Sequence, residues 1–474
     1  MVRSLSLVLA VAVAFTAQAA DKPARIPEAA LNTASGLRES ALKDQAAWDF
    51  VEGLTTEIGP RLAASDNDAK AREWVIARFK ALGFDKVWTE PVTYPKWVRR
   101  GEHAEITAPF PHTLALLALG NSPGTPAGGI SAEVVAFDTF DALKAAPEAS
   151  VHGKIVYVGA RMHATKDGRD YGIGSTVRTH GPALASQKGA AAFLLRSAGT
   201  DDNRLPHTGV TDFAGATPIP AAALSSPDAD LLEHVLKRGK PTTIRLALDC
   251  GIEGTYTGAN VIGELTGRSK PNDYFVMGGH LDSWDPGTGA IDDGAGIAIA
   301  VGAAHAIEAL PQRPARSIRV VAFANEEAGL FGGKAYAKAH AKDIANAVLG
   351  SESDLGADRI WKITATVKPS ARDAIGQIAA AIKPLGVAYD ADAPGHGGSD
   401  LSAVHAVGMA AVSLHQDATR YFDWHHTAND TLDKIDPAQL SQNVAVYAVV
   451  AYLAAEADGD FGSASGAFAA DQGE

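Results

Sequence analysis

Five short segments in the C-terminal half of the chain combine histidine with aspartate and glutamate, and none is contiguous with the next. They are residues 279–282, 290–294, 325–327, 352–354 and 425–427. Together they carry enough imidazole and carboxylate groups to bind a pair of metal ions and to supply a general base. The segments therefore predict metal-assisted chemistry as well as a fold.

The first two segments each pair a candidate ligand with a neighbour. His280 offers a ring nitrogen suited to zinc, and Asp282 could accept its other N–H, although a His-x-Asp pair can also simply end a strand in a turn. Asp292 and Asp293 precede an apolar run in a Gly-rich loop. Asp292 is the candidate bridge between two cations, because a carboxylate has two oxygens, and Asp293 suits a helix N-cap.

The remaining segments leave alternatives open. Glu326 and Glu327 follow an apolar run, and adjacent side chains of an extended segment point in opposite directions. One can therefore bind a metal while the other acts as a general base, or the pair can open a helix, where the dipole favours glutamate. Asp354 is a ligand or a turn residue, and the pair at 425–426 does not show which imidazole would bind.

These segments need a sheet to position them. Residues 274–277, 318–324, 347–350 and 360–367 look extended, and residues 295–310, 330–343, 371–384 and 436–456 look helical. The alternation predicts an α/β fold with a mixed, mainly parallel central sheet flanked by helices. In such sheets, sites form beyond the carboxyl ends of the strands, so the five segments can converge.

The rest of the chain predicts a further domain and two terminal segments. We predict a main domain formed by residues 20–104 and 253–457, a β-rich inserted domain at 105–252 and a flexible tail at 458–474. Helices are expected at 38–57 and 66–82, and residues 20–37 are expected to lie loosely on the surface. Short β-like runs recur through the insert, separated by Gly, Pro and Asp.

Composition and the N-terminus limit the function. The net charge of −13 argues against nucleic acid and anionic membranes as partners. Arg3, the apolar residues 5–15 and Ala17-Gln-Ala predict a signal peptide at 1–19, so the protein is expected to be exported, either periplasmic or secreted. Cys250 is the single cysteine, so no intramolecular disulfide can form, and we expect it to be a buried apolar residue.

In their order along the chain and in their amino-acid sequences, the segments resemble the co-catalytic di-zinc exopeptidases, which include bacterial secreted aminopeptidases and plasma glutamate carboxypeptidase. The matching stretches are Gly-Gly-His280-Leu-Asp-Ser-Trp, Gly-Ala-Ile-Asp292-Asp-Gly-Ala-Gly, Asn-Glu326-Glu327-Ala-Gly, Glu-Ser-Asp354 and His426-Thr-Ala-Asn-Asp-Thr. The plasma glutamate carboxypeptidase branch looks closest, through Glu90-Pro-Val, Gly129-Ile-Ser-Ala-Glu-Val, Pro206-His-Thr-Gly and Gly397-Gly-Ser-Asp400.

The resemblance implies roles for these residues. Two zinc ions per chain would be held, one by His280, Asp292 and Asp354, the other by Asp292, Glu327 and His426. Glu326 would be the general base, and the Asp292–Asp293 peptide bond would be cis-like. The inserted domain resembles a protease-associated domain, which shapes substrate access. Tyr421, five residues before His426, is a candidate donor to the oxyanion.

The expected function is that of an exported zinc exopeptidase acting on dipeptides or short peptides with a free amino terminus. Glu326 would deprotonate a water bridging the metals. One alternative is a carboxypeptidase, which needs a cation near the site from among Arg178, Arg204 and Arg420. Others are a one-zinc glutaminyl cyclase-like transferase and a non-catalytic binding protein. The expected partner is a peptide substrate, and the oligomeric state stays open, a homodimer included.

Overall fold

The computed structural model describes residues 23–468. The predicted signal peptide at 1–19 and residues 469–474 of the predicted tail lie outside these residues. The helices are α1 (Glu28–Ala41), α2 (Ala46–Gly53), α3 (Asp66–Ala81), α4 (Phe140–Ala145), α5 (Glu148–Val151), α6 (Tyr171–Gln187), α7 (Ser226–Leu236), α8 (Ala295–Glu308), α9 (Phe331–His340), α10 (Arg372–Ile382), α11 (Ser399–Ala406) and α12 (Pro437–Glu456).

The strands belong to one extended sheet system. They are β1 (Lys86–Ala108), β2 (His112–Leu114), β3 (Leu116–Ala118), β4 (Ile130–Phe137), β5 (Ile155–Val158), β6 (Ala192–Arg196), β7 (Ala221–Leu224), β8 (Thr243–Leu265), β9 (Lys270–His280), β10 (Arg316–Phe323), β11 (Ala347–Glu352), β12 (Ile360–Thr366), β13 (Ala388–Tyr389) and β14 (Ala411–Gln416).

The central sheet has the order β13-β12-β14-β11-β9-β10-β8 and is mixed, as predicted. Strands β14, β11, β9 and β10 run parallel to one another, while β12 and β8 are antiparallel to their neighbours β14 and β10. His280 pairs with Phe323, and Gly278 pairs with Glu352, so β9, β10 and β11 end at the same edge. The loops that follow these strands are thereby brought together, since parallel strands share their carboxyl edge.

Helix α8 packs at the centre of this layer. Its residues are almost all apolar and twelve of the fourteen are buried, mostly Ala, Ile and Val. Residues 290–308 are apolar enough to span a membrane by composition, but 94% of the most apolar window is buried inside the protein. The segment is therefore a core helix, as expected for a helix that is hydrophobic on every side.

Two strands of 23 residues connect the central sheet to the inserted segment. Strands β1 and β8 pair antiparallel from Lys86 and Glu264 to Ala108 and Thr243. The far half of β8 pairs with β4, which begins a second, mostly parallel sheet of β4, β5, β6 and β7. The predicted boundaries at 105 and 252 thus lie within continuous strands.

The insert also contains helices that the sequence analysis did not predict. The longest is α6, whose sequence includes glycines and Pro182, residues that disfavour helix interiors and hid its periodicity. The description of the insert as β-rich therefore covers its sheet but omits helices α4 to α7.

Two predictions about the chain ends are wrong. Residues 28–37, which were expected to lie loosely on the surface, belong to α1, which buries Ala30, Ala34 and Leu37 at helical spacing, and alanine is the strongest helix former. Within the predicted tail, Phe461 is fully buried and the Ser463 hydroxyl donates to a backbone carbonyl of β11 at 2.6 Å. This part of the tail is therefore packed against the sheet.

Candidate metal centre

The predicted ligands converge at the carboxyl edge of the central sheet. His280 ends β9, Glu327 follows β10, Asp354 follows β11 and His426 lies in the loop after β14. Asp292 lies in the loop that leads into α8. The Asp292–Asp293 peptide bond is cis, as the resemblance implied.

The side chains form two groups that meet at Asp292. In the first group, His280 Nε2 lies 3.1 Å from Asp292 Oδ1 and 3.5 Å from Asp354 Oδ1. In the second group, His426 Nε2 lies 3.1 Å from Asp292 Oδ2 and 2.9 Å from Glu327 Oε2. Asp292 thus presents one carboxylate oxygen to each histidine, which is the arrangement of a bridging ligand.

The donor set fits zinc. Zinc bonds to nitrogen and oxygen of about 2.0 Å in tetrahedral geometry place neighbouring donor atoms about 3.3 Å apart, and the four separations lie on either side of that value. Asp292 Oδ2 and Glu327 Oε1 are buried oxygens without a hydrogen-bond partner among the described residues. Because a buried charged oxygen is costly without a partner, both atoms suit a cation.

The neighbours of Asp292 and His426 hold these two side chains in their charged forms. Burial raises the pKa of a carboxylate, but the adjacent imidazoles of His280 and His426 outweigh it and hold the pKa of Asp292 well below its usual range. Burial lowers the pKa of a histidine, yet the neighbouring carboxylate of Glu327 and that of Asp292 raise the pKa of His426 to about 9. In the protein alone, protons on the imidazoles thus compensate the carboxylates that would otherwise bind cations.

His426 rather than His425 has the environment of a ligand. His426 contacts both Asp292 and Glu327, and its Nδ1 lies 3.2 Å from the carbonyl oxygen of Thr208. Metal-binding histidines usually donate their second N–H to such an acceptor. His425 stacks on His426 and lies 3.6 Å from Asp292, so it is within reach of a metal by distance. Its Nδ1, however, is buried and has no hydrogen-bond partner in the described part of the chain.

Asp282 and Asp293 support the centre through the backbone. Nδ1 of His280 lies 2.9 Å from the carbonyl oxygen of Asp282 and 3.7 Å from its carboxylate, so the closer acceptor is the backbone. The Asp282 carboxylate instead accepts the backbone N–H of Glu326 at 3.0 Å. Asp293 accepts the backbone N–H groups of His280 and Gly296, each at 3.0 Å, which agrees with its predicted capping role.

Glu326 faces a cavity of about 350 Å³ that also reaches Asp292, Asp354 and Tyr421. Desolvation, with the charges of Asp354 and Glu327, raises the pKa of Glu326 well above its usual value. A raised pKa favours proton acceptance near neutral pH, which a general base requires. Tyr421 is buried and its ring packs against His425.

The structure adds residues that sequence reasoning did not find. Trp284 Nε1 donates to Glu327 Oε2 at 2.7 Å, and Ser399 donates to the carboxylate of Asp354. Both lie within stretches that carried the family resemblance, Gly-Gly-His280-Leu-Asp-Ser-Trp and Gly397-Gly-Ser-Asp400. Their positions within these stretches were the sequence signal that could have identified Trp284 and Ser399 as residues of the site.

The inserted segment contributes directly to the centre. The backbone N–H of Thr208 donates to the carbonyl of His426 at 3.2 Å, and the Nδ1 atom of His207 lies 2.7 Å from the carbonyl of His425. His207 is itself held by the buried carboxylate of Asp201 at 2.5 Å. The insert therefore positions the loop that carries His426.

Several known proteins are similar to this chain in sequence and in fold. The sequence model of peptidase family M28 matches residues 260–451. Carboxypeptidase Q of Homo sapiens is 34% identical over 406 residues, which cover 85% of this chain and 84% of that protein. The crystal structure of a peptidase M28 precursor from Shewanella amazonensis SB2B is 45% identical, covers 92% of this chain and 98% of that chain, and has a TM-score of 0.89.

A more distant structure shows the fold alone. A zinc aminopeptidase from Bacillus subtilis is 18% identical, covers 86% of this chain and 94% of that chain, and has a TM-score of 0.62. The identity and coverage of the two nearer relatives, by contrast, extend across the insert as well as the central sheet. The chain therefore belongs to peptidase family M28, the zinc-dependent exopeptidase family that its histidine and carboxylate segments resemble.

Proposed function

We propose that the protein is an exported two-zinc exopeptidase that hydrolyses dipeptides or short peptides with a free amino terminus. The observation that carries the proposal is the position of Asp292, which offers one oxygen to His280 and the other to His426. His280, Asp292 and Asp354 would hold one ion, and Asp292, Glu327 and His426 the other. Bound zinc supplies Lewis acidity toward the scissile carbonyl and toward water.

Glu326 does the proton transfer in this proposal. Its carboxylate accepts a proton from the attacking water and delivers it to the leaving amine, so a single group serves as base and then as acid. Its backbone N–H is tied to Asp282, which fixes the turn that aims the side chain into the cavity. Tyr421, which also lines the cavity, is the candidate hydrogen-bond donor to the oxyanion.

The shape of the cavity and the relatives support an exopeptidase. A cavity of about 350 Å³ lies at the small end of the range for ligand sites. This size suits one end of a peptide better than the middle of a long chain. The relatives include proteins named carboxypeptidase Q and zinc aminopeptidase. A dipeptide combines both kinds of free end next to a single scissile bond.

The test is Glu326→Gln, which keeps the shape of the side chain and removes its basicity. We expect a loss of activity of roughly 10²- to 10⁴-fold, with two zinc ions per chain retained. Glu253→Gln is the matched control, because Glu253 is an exposed glutamate paired with Arg100 far from the centre. Full activity of the Glu326 variant would refute the base assignment, and one zinc per chain would refute the two-ion centre.

Export is the remaining part of the proposal and rests on the signal-like residues 1–19. We expect the protein recovered from the periplasm or medium to begin at Ala20. A mature protein that retains Arg3 would contradict export by this route.

A further inference from the structure

Arg178 is a buried cation in the wall of the catalytic cavity. It belongs to α6 of the inserted segment and is 6% exposed. Arg204 and Arg420, the other cations considered from sequence, pair with Asp228 at 2.9 Å and Asp358 at 2.8 Å and are about half exposed. The structure thus places one of the three arginines at the site.

The guanidinium of Arg178 has few partners. Its Nη2 donates to the hydroxyl of Tyr171 at 2.7 Å, and its Nη1 lies 3.4 Å from Nδ1 of His426. Its Nε has no partner, and neither of its two polar contacts within residues 23–468 is a carboxylate. A buried guanidinium without a counter-ion is costly, so this site favours an anion from outside the chain.

The contact with His426 does not satisfy Arg178. When Nε2 of His426 faces Asp292 and Glu327 as a ligand, its hydrogen resides on Nδ1 and points to the carbonyl of Thr208. Arginine has only donors, so two N–H groups then face each other across 3.4 Å and form no hydrogen bond. The N–H groups of Nη1 therefore remain available to a ligand.

The surroundings hold the guanidinium in place. The Tyr171 ring stacks on Phe422 with ring centroids 4.6 Å apart, which fixes the hydroxyl that receives Nη2. A Cβ atom on Gly209 would lie 2.5 Å from the guanidinium carbon, so only glycine leaves room for Arg178 there. The cation is thus positioned by packing before any substrate arrives.

Charge and distance indicate which anion binds. The cavity is lined by four carboxylates, which two divalent ions would balance, so Arg178 would be the one cation of the described lining without a balancing charge there. A residue spans at most about 3.6 Å along a peptide, and Arg178 lies beside a predicted ligand of the metal centre. An anion bound to Arg178 would therefore be about one residue away from the scissile carbonyl.

We propose that Arg178 binds the free C-terminal carboxylate of the substrate and so makes the enzyme a dipeptidase. The inference rests on the proposed function and names its substrate class. Guanidinium and carboxylate match as bidentate partners, which suits recognition of a chain end. The inserted segment would then set specificity by supplying the residue that reads the substrate's carboxyl end.

The test compares substrates that differ only at this end. A dipeptide, the same dipeptide with a C-terminal amide, and the corresponding aminoacyl-anilide are each assayed with wild type, Arg178→Ala and Arg178→Lys. We expect Arg178→Ala to lower kcat/KM for the free dipeptide by roughly 10²-fold or more. For the amide and the anilide, the same substitution should change kcat/KM by less than about threefold. For the free dipeptide, kcat/KM of Arg178→Lys should lie between the values of wild type and Arg178→Ala, because lysine keeps the charge and loses the planar guanidinium.

Two controls separate recognition from damage. Arg204→Ala, another arginine of the insert, should leave all three substrates unchanged. Zinc content per chain should be equal in Arg178→Ala and wild type. Binding of a free amino acid and of its amide, measured by calorimetry with and without metal, should show a preference for the carboxylate in wild type and none in Arg178→Ala.

Equal losses on all three substrates, or loss of zinc, would overturn the inference, because Arg178 would then act on the reacting centre or on His426. A different result would show that the proposed exopeptidase function itself is wrong. In that case wild type would hydrolyse none of the substrates in a chelator-sensitive manner. Wild type that cleaves dipeptide and amide equally well would refute the role of Arg178 and leave the exopeptidase proposal intact.

Discussion

Trp284→Phe should weaken zinc binding without touching a predicted ligand. The indole N–H of Trp284 donates to Glu327 Oε2 at 2.7 Å, and Trp284 is 5% exposed. The same oxygen lies 2.9 Å from Nε2 of His426. The indole therefore holds one carboxylate oxygen in the position where the second ion is expected.

The magnitude follows from this one hydrogen bond. A buried hydrogen bond to a charged group contributes about 1.5–3 kcal/mol. At about 1.4 kcal/mol per factor of ten, its loss should weaken zinc binding at the Glu327 position roughly 10- to 100-fold. Loss of groups that orient metal ligands typically has an effect of this size.

Trp97→Phe is the matched control. Trp97 packs against Trp284 with ring centroids 6.1 Å apart and is 7% exposed, but its indole donates to the carbonyl of Ser122 at 2.9 Å. Both variants remove one indole from the same aromatic pair, and only one variant removes a donor to Glu327. The comparison therefore isolates the hydrogen bond from the loss of packing.

The assay is competition for zinc with a chromophoric chelator, with metal content measured on the same samples. We expect the second zinc of Trp284→Phe to be lost at roughly 10- to 100-fold higher free zinc than that of wild type and Trp97→Phe. Equal zinc affinity in all three proteins would refute the role of the indole. Equal weakening in both variants would assign the effect to packing.

Three further outcomes are expected. His207→Ala leaves Asp201 buried without its partner and should lower the free energy of unfolding in urea by about 3 kcal/mol; an unchanged value would contradict the anchoring of the 425–426 loop. Burial, with the charge of Lys362, lowers the pKa of His415 to about 4 from about 6.5 in the unfolded chain. The stability that the neutral His415 contributes is complete above pH 6.5 and is lost as pH falls toward 4. His415→Gln should therefore make Tm decline less steeply between pH 6.5 and pH 4. A decline as steep as that of wild type would contradict this role of His415. Burial raises the pKa of Cys250 to about 11, so a thiol reagent at pH 8 should label the denatured protein and spare the native one; rapid native labelling would show the thiol to be accessible.

Much of the central sheet was predictable because local sequence and environment agree. The run at 318–324 is apolar except for Arg319, which suits a strand covered on both faces, and β10 occupies all of it but the last residue. Helix α8 was predicted from its uniformly apolar residues. Helix α1 was missed because its buried face consists mainly of alanine, and helix α6 was missed because glycines and Pro182 interrupt its sequence.

The contacts across the metal centre were not predictable in the same way. Arg178 lies 248 residues from His426 in sequence, and Thr208 lies 218 residues from it. No local pattern specifies such a pairing. It arises because β1 and β8 form one long ribbon that folds the insert back onto the loop after β14.

The sequence by itself determined the kind of chemistry, because histidine and carboxylate residues at strand ends are set by local composition and by the order of apolar runs. It also determined that these strand ends share an edge, since parallel strands end together. Only the tertiary structure decided that Asp292 faces both histidines, that Trp284 holds Glu327 and that Arg178 contacts no carboxylate within residues 23–468. Those properties depend on distances between side chains far apart in sequence, and such distances exist only once the chain has packed.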